Sequence, residues 1–268
     1  MKEHKTDSCY ALILGASSGF GAAAALRLAH EGYHIFGVHL DRKSTQPQVE
    51  ELIVKIKTAG GCATYFNINA ADGKKRAEVV AEIRKKIPRG QHIKVMLHSL
   101  AFGSLKLFID KDASKCIAPD NVAMTMNVMA HSLIYWAQEL FWQNLLGYGS
   151  RIFAMTSHGS HTVLPYYGAV SAAKAALEAH IRQLALELGP IGVTCNALKA
   201  GVTNTPALQK IPGYEAMIEA TLRRNPAGRL TTPADVANAI ASLCSMDVQW
   251  INGDTIAIDY GESVMDRG

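Results

Sequence analysis

Residues 14–21 read Leu14-Gly15-Ala16-Ser17-Ser18-Gly19-Phe20-Gly21, between a short apolar run at 10–14 and an alanine-rich stretch reaching His30. A short apolar run that opens through glycines into a long alanine-rich one reads as a strand entering a helix by a tight turn. Glycine serves such a turn where φ is positive and where backbone must approach a ligand closely, and the helix N-terminus beyond it favours negative charge. The spacing is glycine, three residues, glycine, one residue, glycine. On its own it fits a simple tight turn as well as a pyrophosphate cradle, and its place after the first strand favours the cradle.

Working outward, strands at 34–40, 63–68, 94–99, 151–157, 193–198 and 255–259 alternate with helices at 49–59, 74–86, 121–146 and 167–188. A last helix opens at Thr232-Pro233-Ala234-Asp235, where a cap residue, a first-turn proline and a first-turn carboxylate coincide. Gly32, Gly60-Gly61, Pro88 and Gly189-Pro190 stop the helices before them. Strict alternation predicts a single α/β domain over 1–268, a doubly wound (Rossmann) parallel sheet of about seven strands with helices on both faces. Residues 202–230, with Pro206, Pro212, Gly213, Pro226 and Gly228, interrupt the alternation, and a segment of that length in a compact domain is usually functional.

Composition narrows the class. The chain has 268 residues, 49% hydrophobic and 19% charged, ample for a core without disulfides or metals. Its 27 basic and 23 acidic side chains give a net charge of +4, with no basic stripe carrying interleaved aromatics, so no nucleic-acid partner is expected. Cys9, Cys62, Cys116, Cys195 and Cys244 are scattered, with no Cys-x-x-Cys pair, which fits a reducing, cytoplasmic compartment. The start of the chain is polar, the apolar run at 11–14 is too short for a signal-peptide core, and no membrane span is expected.

Ligands of such sheets bind beyond the carboxyl ends of the strands. The second strand ends His39-Leu40-Asp41-Arg42-Lys43, about 20 residues past the turn, where a ribose 2′ group lies. A carboxylate there selects a free hydroxyl and a cation selects a 2′-phosphate. With both on offer, His39, Arg42 and Lys43 tilt the expectation toward NADPH, with NADH open. Asn67 and Ile68, ending the third strand, are candidates for the adenine. Ser157 ends another strand, and Tyr167 and Lys174 follow seven apart, within about 20° of one helical face. A lysine beside a phenol is expected to lower its pKa and improve it as an oxyanion partner. A tyrosine–lysine pair on a helix usually means nothing, and the combination with the glycine turn and the strand ends makes this one a candidate. His158 and His161 lack further ligands at zinc-like spacing, so no metal is expected and a pocket-mouth loop is the reading. His98 is expected to meet the cofactor through its backbone rather than its ring.

The chain resembles the short-chain dehydrogenase/reductase superfamily from about residue 10 to 260. The resemblance rests on the glycine turn, Asn127 in the fourth helix, Ser157, Tyr167 with Lys174, and Asn196-Ala197-Leu198-Lys199-Ala200-Gly201. Most members carry tyrosine four positions before lysine, and here that position is Val170. Ser157 keeps its spacing of thirteen to Val170, so the helix is in register and only the tyrosine has moved. Tyrosine, six residues, lysine is the pattern of the enoyl-acyl-carrier-protein reductase branch. His98-Ser99-Leu100-Ala101 and Ala200-Gly201-Val202-Thr203-Asn204-Thr205 look like that branch too. The intact turn, Asn127 and Ser157-His158-Gly159-Ser160 look like those enoyl reductases that stay close to the main family. Moving the tyrosine by three residues shifts it about 4.5 Å along the axis. That suits an enoyl thioester, which takes hydride at Cβ and develops charge on a more distant oxygen than a ketone does.

The resemblance implies reduction of the trans-2 double bond of an enoyl thioester of acyl carrier protein or CoA by NADPH (or NADH), in fatty-acid synthesis. It implies that Tyr167 stabilises the enolate, Lys174 fixes ribose and nicotinamide, Ser157 lines the oxygen side and Asn127 holds a water behind Lys174. Gly15, Ser17, Ser18, Gly19, Phe20 and Gly21 would cradle the cofactor, with Ser99, Leu100, Ala101, Ala200, Gly201, Val202 and Thr203 along it. His158, Tyr166, Tyr214 and Met217 would face substrate, Tyr166 being second choice for the active hydroxyl. Residues 202–230 would form a lid, whose Lys210, Arg223, Arg224 and Arg229 suit an acidic carrier protein or a CoA phosphate. A homotetramer is implied as well. Two alternatives remain, a carbonyl or hydroxysteroid-type reductase whose tyrosine has drifted, and a non-catalytic cofactor-binding regulator marked by Val170.

Overall fold

The computed structural model describes residues 9–265. The polar residues 1–8 and the last three positions, which the single-domain reading included, lie outside it. Seven strands form one sheet: β1 (Cys9–Leu14), β2 (Tyr33–His39), β3 (Cys62–Asn67), β4 (Ile93–His98), β5 (Arg151–Thr156), β6 (Thr194–Ala200) and β7 (Thr255–Ile258). Their spatial order is β3-β2-β1-β4-β5-β6-β7, and every pairing is parallel. The doubly wound sheet expected from the alternation is therefore present. Its order reverses between β1 and β4, and at such a switch point a crevice opens beyond the carboxyl ends.

Two apolar layers hold the sheet. On one face α1 (Gly19–His30), α2 (Gln46–Thr58) and α8 (Pro233–Leu243) pack Ala24, Leu28, Ile56, Val236 and Ile240 against Ile13, Val95 and Leu198. On the other, α3 (Gly73–Lys86), α5 (Ser132–Trp142) and α6 (Gly168–Leu188) bring Val80, Ile83, Trp136, Leu177 and Ile181 onto Leu12, Met96 and Ile152. Trp136 is wholly buried, and its indole N–H donates to the Ala70 carbonyl at 2.8 Å, so its polar edge is satisfied within the layer. Local signals set the ends. Gly32 adopts φ +84 just past α1, and Thr232 with Asp235 closes a complete capping box on α8. Among the described residues no helix is long and apolar enough to cross a membrane.

The helix expected at 121–146 differs from what forms. Pro119, with φ fixed for a first helical turn, starts α4 (Pro119–Met126) two residues earlier. At Asn127–His131 the helix widens into a π turn in which the Ser132 N–H reaches back to the Asn127 carbonyl, and α5 follows. It stops at Trp142, because Asn144 turns left-handed at φ +52 and sends Leu145 and Leu146 inward as buried loop. The interrupted segment 202–230 also carries a helix, α7 (Tyr214–Arg224), hidden from the strand–helix alternation by the prolines and glycines around it.

Candidate active site

The glycine turn meets the ends of β2 and β4. Gly15 sits at φ +85 with its N–H and that of Ala16 donating to the Val38 carbonyl at 2.8 and 3.0 Å. A Cβ on Gly15 would collide with the Ser99 carbonyl oxygen, and one on Gly21 with the Gly15 carbonyl oxygen. Both positions therefore require glycine for close backbone approach. The N-cap of α1 is Ser18, whose side chain makes no capping bond, and no acidic residue fills the first turn. The orphan N–H groups and positive end of that helix face the crevice, an arrangement that fits a pyrophosphate.

At the end of β2 the mixed charges sort themselves. Asp41 is held by the His39 Nδ1 at 2.9 Å and takes hydrogen bonds from Ser17 and Thr45. Its partial burial works to raise the carboxyl pKa, but those hydrogen bonds outweigh it and keep the group below the usual range. An ionised carboxylate thus touches the glycine turn itself, while Arg42 and Lys43 are exposed. Asn67 spends its amide on the backbone of Asp41, accepting from its N–H and donating to its carbonyl, both at 3.0 Å. It braces β3 against the β2 end.

Three consecutive residues at the end of β5 organise the tyrosine–lysine side of the candidate site. The Met155 carbonyl accepts from Lys174 Nζ at 2.7 Å, Thr156 Oγ1 donates to Glu178 Oε1 at 2.6 Å, and Ser157 Oγ accepts from the Tyr167 hydroxyl at 3.4 Å. Lys174 also reaches the Leu100 carbonyl at 3.4 Å, which ties it to the segment beyond β4 beside Gly15. Tyr167, the N-cap of α6, is buried, and its neighbour Tyr166 is a half-exposed left-handed residue at φ +64. The structure thus brings Tyr167 to Ser157 and leaves Tyr166 outward. Val170 packs 2.9 Å from where a Gly103 side chain would begin, in apolar company with Met129.

One expectation is overturned. Lys174 does not lower the Tyr167 phenol. Burial raises that pKa, with only the Ser157 contact pulling it back. The reason is geometric. The ammonium is turned onto the Met155 and Leu100 carbonyls, and burial brings its own pKa down to about 8 against the opposing pull of Glu178. His98 is fully buried and Nε2 lies 2.8 Å from Ser132 Oγ, which in turn donates to the Val128 carbonyl inside the π turn. Burial first and the Lys174 charge second bring His98 down to about 3, so it is neutral and its ring is structural. Asn127 opens that π turn, half-buried.

Of the remaining expected residues, Gly201 and Val202 are locked by Glu262 and Ile258, the Val202 N–H donating to Glu262 at 3.2 Å. Thr203 Oγ1 donates to the Gly201 carbonyl. His158 stands among Lys199, Arg224, Glu262 and Asp259, with burial and the two cations lowering its pKa. Met217 is half-buried, whereas Tyr214 has its hydroxyl on Glu215. The basic patch expected on the lid is reduced. Arg229 pairs with Asp235 and Arg224 with Glu262, leaving Lys210 and Arg223. Glu178, Glu262 and Asp259 are buried acids missed in the sequence. Glu178 carried one signal, lying four residues after Lys174 on the same helical face.

A seven-stranded parallel sheet with this turn and this tyrosine–lysine helix defines a short-chain dehydrogenase/reductase. A family model described as enoyl-(acyl carrier protein) reductase matches residues 15–263, and the chain belongs to that family of oxidoreductases. It is 26% identical over 258 residues to 1-cyclohexenylcarbonyl-CoA reductase of Streptomyces collinus, covering 95% of this chain and 86% of that one. It is 30% identical over 171 residues to the NADH-dependent enoyl-[acyl-carrier-protein] reductase of Aquifex aeolicus, covering 64% of this chain and 62% of that one. The crystal structure of the Aquifex enzyme superposes with a TM-score of 0.83 at 24% identity, covering 98% of this chain and 99% of that one, a likeness of fold.

Proposed function

We propose that the chain reduces the trans-2 double bond of an enoyl thioester. The observation that carries this reading is the Tyr167–Ser157 contact, combined with the apolar, buried Val170 at the position four before Lys174. Val170 has no proton to give, and the hydroxyl that remains on the face lies one helical turn further back. The two relatives named above have thioester names, one of CoA and one of acyl carrier protein, which supports the substrate class and leaves the carrier open.

A nicotinamide dinucleotide fits the residues present, with Gly15, Ser17, Ser18 and Gly19 under the pyrophosphate, Asp41 at the ribose and Lys174 toward the nicotinamide side. When bound it supplies the hydride. The chain does the rest. Tyr167, kept protonated by burial, turns its single hydroxyl proton from Ser157 Oγ to the developing enolate oxygen, and the Ser157 hydroxyl can then donate to the phenol oxygen. Ser157 orients that hydroxyl. Lys174, seated on the Met155 and Leu100 carbonyls, keeps further N–H capacity for a ribose oxygen, and Asn127 holds a water behind it. On cofactor choice the geometry supports NADH over the NADPH that strand-end composition favoured, because the carboxylate facing the turn repels a 2′-phosphate. Asp41→Asn should narrow the preference about tenfold or more, and a native protein preferring NADPH would refute it.

The reading extends to a lid at 202–230, a place in fatty-acid synthesis, a cytoplasmic location and a homotetramer. The last is supported by the exposed Tyr135, Phe141 and Leu186 on α5 and α6. Sedimentation tests the assembly. The activity test is loss of NADH absorbance with crotonyl-CoA. Turnover of a ketone or 3-oxoacyl thioester instead would assign the site to carbonyl reduction, and dinucleotide binding without any oxidation would make the chain a regulator.

A further inference from the structure

Glu178 is a buried carboxylate that the mechanism above does not use, 4% exposed and one turn after Lys174, itself 4% exposed. Lysine preceding glutamate by four is the weaker order for an isolated helix, so helix propensity does not account for the pair. Strand β5 does. Met155 and Thr156 are adjacent, the first accepting from Lys174 Nζ at 2.7 Å and the second donating to Glu178 at 2.6 Å. Lys174 and Glu178, the buried charged pair of α6, are therefore docked side by side on two successive residues, immediately before Ser157. The second carboxylate oxygen of Glu178 lies 3.6 Å from Nε2 of His161, which is exposed to solvent.

We propose that Glu178 is a positioning residue for the reductase site: fixed by Thr156, it keeps the Lys174 ammonium charged and seated on the strand end where the dinucleotide binds. A buried ammonium with only carbonyls around it tends to lose its proton, and an opposite charge one helical turn away resists that loss. Other titratable groups facing the pair do not supply the charge. His98 on β4 is neutral, Tyr167 at the N-cap of α6 is protonated, and Lys199, register partner of Thr156 on β6, is a base that carries no negative charge. His161 in the loop after β5 is the group at the solvent end. The proposal rests on the reading above only for the use made of Lys174.

The test is a carbon-13 NMR titration of the intact protein carrying [ε-13C]lysine, the Lys174 signal being identified by its loss in Lys174→Met. The native midpoint is expected near 8. Glu178→Gln, which preserves shape and leaves an acceptor for Thr156, should move it down by about one unit, a tenfold change in the ratio of charged to neutral amine. Glu178→Asp, which keeps the charge, should stay within a few tenths of native. An unmoved midpoint in the Gln variant, or an equal fall in both, overturns the proposal. NADH affinity by fluorescence should follow, equal at pH 6 and about fivefold weaker at pH 8 in the Gln variant. A shifted midpoint in a protein that binds no dinucleotide would sink the reductase reading and leave this assignment standing. An unmoved midpoint in a protein that binds NADH would do the reverse.

Discussion

Replacing Lys174 by methionine should stabilise the folded chain at neutral pH and destabilise it in alkali. The amine is buried against two carbonyls and holds its proton only up to about pH 8. In the unfolded chain it holds it to about 10.4. Below pH 8 the group is charged in both states, and the folded one bears the desolvation cost in full. Between the two values the unfolded chain binds more protons, so stability rises with pH, and above both it levels off. The sum across that window is about 3 kcal/mol. A methionine side chain has similar length and fills the same channel. It leaves the Met155 carbonyl without its lysine donor, a loss of about 1–2 kcal/mol. The variant should then be more stable than native by about 1–2 kcal/mol at pH 7, with the difference shrinking and reversing sign by pH 10.5. Urea unfolding followed by circular dichroism at pH 7, 8.5 and 10 measures it. A difference in unfolding free energy that stays flat over that range would refute the reasoning, since it would mean that Lys174 titrates alike in both states.

Three further outcomes are expected. Tyr167→Phe should cut turnover about 10²–10³-fold while leaving NADH affinity near native, and unchanged turnover would transfer the role to Tyr166. Gly159→Ala places a Cβ 2.7 Å from the Tyr167 ring. The displaced hydroxyl should lower turnover about 100-fold with an unchanged circular dichroism spectrum, and full activity would argue against Tyr167 as the reacting group. Thr232→Ala removes the capping box of α8 at a cost of about 1 kcal/mol, read as a fall in Tm of about 2–4 °C. That loss should be largest near neutral pH. Asp235 is held below its usual range, first by Arg229, so its contribution is present above about pH 4 and fades as acid protonates it.

What could be read along the chain was what neighbours in sequence decide. The turn at 14–21, the stop at Gly32, the cap at Thr232 and the shared face of Tyr167 and Lys174 all follow from φ preferences and a rise of about 1.5 Å per residue, which need no distant partner. Alternation of strand and helix did the same for the parallel sheet. The break at Asn127 escaped because its lock is remote, Ser132 being held by His98 from another layer of the fold. Which residue of His39-Leu40-Asp41-Arg42 faces the glycine turn was undecidable from composition, and Ser17 decided it by bonding to Asp41 from the end of the neighbouring strand β1. The charge state of the site was likewise out of reach. Lys174 meets a carbonyl 19 positions earlier and another 74 earlier, and Glu178 enters only because β5 holds both. The amino-acid sequence by itself determined the fold class, the register of the helix that carries Lys174 and the displaced tyrosine. Tertiary structure decided protonation and the placing of Asp41 against the glycine turn, because both depend on desolvation and on which distant groups packing brings within hydrogen-bonding reach.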